Sequence, residues 1–284
     1  MMTAVRCIVE SADKLGEGPC WSALEGRLYW FDIKGARLSW YEPEAARTGH
    51  VGLPMRASAA APMAEGGLLL ATERGLAFFD PRSGEVELRR PIDLGPGFRS
   101  NDGVMLGDGC FWWSSMDDNN GERPGVIFRT CPDGVTEPVI SGIHIANSLA
   151  MSPDRRRLYL ADSRHGTIWT HDTADLSRRE VFATVEVGGP DGSAVDADGY
   201  LWNAQWGAWR IVRYAPDGRI DRVVEVPVEQ PSCCMFGGAE LATLYVTSAR
   251  ESLSDEARAQ QPLAGSLFAF EPGVKGLALP LFKG

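Results

Sequence analysis

Four residues of this chain, Glu17, Asn101, Asn147 and Asp191, stand shortly before short strand-like runs of similar sequence. Two carboxylates and two amides make an oxygen-only donor set. Hard cations such as Ca2+, Mg2+ or Mn2+ prefer such a set; zinc also accepts carboxylates, usually with His or Cys beside them. Arg99 precedes Asn101 by two residues, which puts both side chains on one face of an extended segment. A guanidinium fork next to an amide suits a polyhydroxylated ligand. Each residue alone also reads as structure. Glu17 could be a turn carboxylate between Gly16 and Gly18, and Asn147 an amide bonded to backbone. Asp191 could be the centre of a Pro-Asp-Gly turn, and Asn101 the head of an Asn-Asp-Gly turn. Pro132-Asp133-Gly134 and Pro216-Asp217-Gly218 are read as plain turns. What separates the four from these is a shared place in a repeat.

The repeat is set by Leu28–Asp32, Leu68–Thr72, Phe111–Ser115, Leu158–Asp162, Leu201–Gln205 and Leu244–Ser248, which start about 40, 43, 47, 43 and 43 residues apart. That period is the spacing of propeller blades. Aromatic and β-branched runs between Asp-Gly turns predict four short strands per repeat. The expected fold is all-β, a six-bladed β-propeller with a metal site in its central channel. It is expected to be one domain over residues 1–284, because a ring cut between blades would expose edges. Equivalent strands would bring Glu17, Asn101, Asn147 and Asp191 to one axis. Two insertions, Asp117–Pro124 and Ser252–Gln261, are read as site-shaping loops, the second with one helical turn. Either chain end, Thr3–Val9 or Gly276–Leu281, could complete the last blade and close the ring.

The balance of 28 Lys and Arg against 38 Asp and Glu gives a net charge of −10, which argues against nucleic acid or an anionic membrane as partner. No apolar stretch approaches the ~20 residues of a membrane span, and Met1–Glu10 lacks the pattern of a signal peptide. Six cysteines in a long chain without Cys-x-x-Cys spacing predict reduced thiols and a cytoplasmic location. The four histidines are read as surface or structural residues. With no Gly-x-Ser-x-Gly and no histidine near a nucleophile, a serine hydrolase is weakly supported.

The ordered motifs carry a resemblance. Leu15-Gly16-Glu17-Gly18-Pro19, Arg99-Ser100-Asn101-Asp102-Gly103, Asn147, Pro190-Asp191-Gly192 and Cys233-Cys234-Met235-Phe236-Gly237-Gly238 resemble the sugar lactonase family of SMP-30, regucalcin and gluconolactonase. The likeness covers nearly the whole chain. It implies a six-bladed propeller holding one divalent cation (Ca2+, Zn2+, Mn2+ or Mg2+) on Glu17, Asn147 and Asp191. It implies Asp191 as catalytic base, and Arg99 and Asn101 as substrate contacts. Some members carry a substrate-contacting glutamate at the position of Asn119, beside Asp118. The implied activity is hydrolysis of an aldono-1,4- or 1,5-lactone by a monomer or weak homo-oligomer whose partner is a small-molecule sugar lactone. Alternatives are a regucalcin-like calcium-binding regulatory protein, an arylesterase-type hydrolase on the same propeller, or an interaction scaffold.

Overall fold

A computed structural model describes residues 4–284. Its strands form six four-stranded antiparallel sheets. Five are built from consecutive strands, with Gly16–Ser22, Ala57–Pro62, Phe98–Met105, Ala146–Met151 and Gly189–Val195 as their inner strands. The sixth has Pro231–Gly237 inside, then Thr243–Ser248 and Leu267–Phe270, and the N-terminal strand Arg6–Val9 at its edge. The beginning of the chain therefore closes the ring; Thr3 lies outside the described residues. Gly276–Leu281 takes no place in a blade. It bridges toward Asp196, and the following Phe282 pairs with Met63. The tail thus crosses the ends of inner strands opposite to those that carry Glu17, Asn147 and Asp191.

Burial follows the architecture. The second strands Arg27–Asp32, Phe111–Asp117 and Arg157–Asp162 are buried on both faces beyond at most their first residue, since each sheet packs between two others. That is why they read as near-continuous apolar runs rather than alternation. Trp30 and Trp113 fill equivalent core positions, and Trp202 stands one residue earlier in its own second strand; all three are essentially without solvent exposure. The outer strand Arg47–Gly52 is half-exposed and polar.

One irregularity recurs six times. Every inner strand shifts register against its second strand: between Glu17 and Cys20, Ala57 and Ala59, Ser100 and Gly103, Asn147 and Ala150, Pro190 and Ser193, and Pro231 and Cys233. A bulge re-aims side chains that regular pleating would send into the neighbouring blade. Glu17, Asn101, Asn147 and Asp191 all sit in these bulges. Serines at the same level tie blade to blade: Ser58 donates to Ser100 at 2.8 Å, Ser148 to the Asp191 carbonyl, and Ser232 to the Gly16 carbonyl.

Gly18 shows how tightly the first bulge is built. Its φ is +55°, and a Cβ there would lie 2.0 Å from the Ser58 carbonyl oxygen, a backbone atom. Gly18→Ala is expected to cost roughly 3 kcal/mol or more of stability in chemical denaturation; a change under about 1 kcal/mol would contradict this packing.

The inserted segment after the sixth blade's second strand carries a six-residue helix, Asp255–Gln260, capped by Ser254. The cysteine expectation needs correction. Cys110 and Cys131 form a disulfide, while Cys7, Cys20, Cys233 and Cys234 are free. The reason is register: Phe111 pairs with Thr130, so Cys110 and Cys131 continue the same ladder as facing neighbours. No helix among the described residues is long and apolar enough to cross a membrane.

Candidate functional site

Glu17 from blade one, Asn101 and Asp102 from blade three, Asn147 from blade four and Asp191 from blade five converge at the channel. Glu17 is repelled by Asp102, Asp191 by both, and Arg99 attracts both Glu17 and Asp191. Burial is the largest influence on each acid. It pushes Glu17 up to about 8 and Asp102 up to about 6, and Asp191 well above the ordinary carboxylate range. A single neighbouring backbone N–H works against the shift on Glu17 (Gly18) and on Asp191 (Gly192). Glu17 and Asp102 keep partial exposure, as expected for side chains facing a channel walled by protein.

The amides are oriented. Asn147 Nδ2 donates to Ser163 Oγ at 2.8 Å, and Ser163 Oγ donates to the Pro190 carbonyl at 2.6 Å. Asn147 Oδ1 accepts from Asn101 Nδ2 at 3.0 Å, and that nitrogen also reaches the Ala146 carbonyl at 3.0 Å. Asn101 Oδ1 in turn accepts from Arg99 at 2.7 Å. The spacing argument that paired Arg99 with Asn101 thus has its counterpart in a direct hydrogen bond. Arg99 is only 4% exposed.

At the rim, the Asp117–Pro124 loop delivers Asp118 rather than Asn119. Asp118 accepts from Arg99 Nε at 2.8 Å, Lys34 at 2.7 Å and Arg56 at 2.7 Å. Burial opposes its ionisation, but hydrogen bonds from Lys34, Arg56 and Arg99 outweigh it and hold the carboxyl well below the usual range. Asn119 is exposed, with its N–H on Asp117 Oδ1 at 3.4 Å. The loop is latched to blade four. His144 Nδ1 donates to the Gly121 carbonyl at 2.7 Å, and Arg164 to the Asn120 carbonyl at 2.8 Å.

Sequence reasoning missed two members of this neighbourhood. Asp102 hides in an Asn-Asp-Gly string that reads as a turn. Cys233 belongs to blade six, and burial raises its thiol, as do the charges of Glu17, Asp102 and Asp191. Its sulfur lies 2.1 Å from where a Cβ on Gly192 would stand, so the residue after Asp191 has no room for a side chain.

Among the described residues no three His, Cys, Asp or Glu side chains gather closely enough to hold a metal. A cation here would need an amide among its donors, and Asn147 Oδ1 can provide one. The acids fit that role chemically. Glu17 and Asp191 are like charges inside the protein-walled channel, and Arg99 directs its hydrogen bonds to Asp118, Ser100 and Asn101. A bound cation would relieve their repulsion. A separate cavity of about 770 Å³ lies at the other mouth, lined by Trp21, Met105, Met235, Phe236, Leu277 and Leu279 among others, and none of the four polar residues faces it.

The chain is similar to known proteins over nearly its whole length. A family profile described as "SMP-30/Gluconolactonase/LRE-like region" matches residues 15–250. A 6-deoxy-6-sulfogluconolactonase of Pseudomonas putida is 33% identical over 298 residues, covering 100% of both chains. An L-arabinolactonase of Azospirillum brasilense is 38% identical over 293 residues, 98% of this chain and 95% of the relative. The crystal structure of a calcium-binding protein, regucalcin, from Agrobacterium tumefaciens superimposes with a TM-score of 0.93 at 33% identity, covering 98% of this chain and 97% of that one. With the profile spanning most of the propeller and relatives matched end to end, this chain belongs to the SMP-30/gluconolactonase/LRE-like family.

Proposed function

We propose that this protein is a divalent-cation-dependent sugar lactonase that hydrolyses an aldono-1,4- or 1,5-lactone to the aldonic acid. The observation that carries the reading is the convergence of Glu17 and Asp191 from different blades on one channel, with no cationic side chain among the described residues hydrogen-bonded to either, beside the Arg99–Asn101 pair. Lactonase names among full-length relatives support the reaction class. Glu17, Asn147 and Asp191 would hold the cation. When bound, it supplies Lewis acidity toward the ring ester carbonyl.

The remaining chemistry belongs to side chains. Arg99 and Asn101 orient the sugar hydroxyls, and Asp118 fixes the guanidinium through its Nε. Asp191 takes a proton from the attacking water onto a carboxylate oxygen as the water oxygen bonds to the carbonyl carbon. The ring C–O bond then breaks, and the same proton passes to the departing ring oxygen, which becomes a hydroxyl of the open acid. A base whose proton affinity is raised by burial and by the charges of Glu17 and Asp102 suits both transfers. The Ser148 hydroxyl and Asn203 amide both hold the Asp191 carbonyl, which fixes the backbone from which this carboxylate projects.

Acid release by pH-stat, from a panel of aldonolactones and aryl esters with added Ca2+, Mn2+, Mg2+ or Zn2+, tests this reading. The expected result is turnover of at least one aldonolactone well above its spontaneous hydrolysis, with aryl esters slower. Aryl esters as the better substrates would favour the esterase alternative. The likeness to a calcium-binding regucalcin supports a second reading, a cation-binding regulatory protein; cation binding without turnover of any lactone would select it.

A further inference from the structure

We propose that Asp102 is a positioning residue for the cation: it braces the bulge that carries Asn147 and adds a fixed negative charge behind Glu17 and Asp191, without bonding the cation itself. The inference rests on the cation reading above.

The geometry starts at the seam between blades three and four. Asn101 and Asp102 are consecutive residues, and they grip the Asn147 bulge from both ends. Asn101 Nδ2 holds the Ala146 carbonyl and Asn147 Oδ1, both at 3.0 Å. Asp102 Oδ2 accepts the Leu149 N–H at 2.9 Å. Between these two grips Ser148 has a φ of +61°, in the left-handed region. A non-glycine residue stays there only where its surroundings over-determine it. Asp102 is itself pinned. Its N–H donates to Ser114 Oγ at 3.1 Å, and that hydroxyl lies 3.2 Å from the Asp102 carbonyl it can donate to.

The chemistry of Asp102 follows from how its oxygens are used. Oδ2 is taken by Leu149, and Oδ1 accepts the Gly103 N–H at 2.8 Å. Each oxygen accepts one backbone N–H, an arrangement that fits a side chain acting through its charge and its grip. Its charge reaches Glu17, Asp191 and Cys233. Asp102 thus adds to two acids, Glu17 and Asp191, that the Arg99 guanidinium reaches. That imbalance favours a multiply charged cation over water or a monovalent ion.

The test uses the full-length chain stripped of metal, with calorimetric titration of Ca2+ alone and Tb3+ alone. Asp102→Asn keeps one acceptor, for Leu149, loses the charge, and gives up the bond to the Gly103 N–H. The expected result is Ca2+ binding weakened by about 10- to 100-fold, the range for partners just outside a metal's ligands, with a larger loss for Tb3+. A purely structural role would weaken the two ions alike, which would overturn the charge assignment. An affinity within about 3-fold of the unaltered protein would overturn the proposal outright. If Asp102→Asn does not fold, Asp102→Ser is measured and read by the same criteria. Failure of the unaltered protein to bind either ion would instead overturn the cation reading itself, and so is distinguishable from failure at Asp102.

Discussion

Asp191→Asn is expected to lower kcat by about 10³-fold or more. The change removes a general base, itself worth about 10²–10⁴-fold, and it weakens cation binding at the same time. The fold should survive it. The Asp191 carbonyl, which Ser148 and Asn203 hold, is untouched, and an amide relieves the burial and repulsion that push the carboxyl up. The check is steady-state kinetics on the best aldonolactone, with circular dichroism to confirm folding. A kcat within tenfold of the unaltered enzyme would remove Asp191 from the base role.

The second large effect is on stability against pH in the chelated protein. Glu17 rises from 4.5 to about 8 and Asp102 from 3.8 to about 6, each mainly through burial. A carboxyl raised on folding binds more protons in the native state than in the unfolded one. Stability from these groups is therefore present at low pH and lost as pH climbs through the raised values. At about 1.4 kcal/mol per pH unit, the chelated protein should lose a few kcal/mol between about pH 5 and 8. A cation should restore most of it, and more at the alkaline end. Thermal melts with EDTA and with Ca2+ across that range measure it. Glu17→Gln should flatten the EDTA curve. If the unaltered protein melts at a constant temperature in EDTA, the acids are not buried as like charges.

Much of this was legible before any coordinates. Blade period was readable because each second strand is an apolar run packed between sheets, with Trp30, Trp113 and Trp202 recurring in it. Glu17, Asn147 and Asp191 stood out because the repeat placed them at one level. The bulges that turn them inward were not readable, since a one-residue register shift leaves no periodic mark. Asp102 was missed because its defining bond, to Leu149, crosses to another blade. Asn119 and Asp118 differ by one position in an insertion without a repeat partner, where counting from Asn101 cannot fix which side chain turns inward. The Cys110–Cys131 disulfide follows from hairpin register and not from cysteine spacing. Closure by Arg6–Val9 rather than by the tail is a matter of where each end lies in space.

The most direct test of the account is lactone turnover by one preparation before chelation, after exhaustive chelation, and after return of a single cation. The account predicts turnover that falls to the spontaneous rate on chelation and returns with the cation, in the unaltered enzyme and not in Asp191→Asn. Full turnover by the chelated enzyme would contradict it.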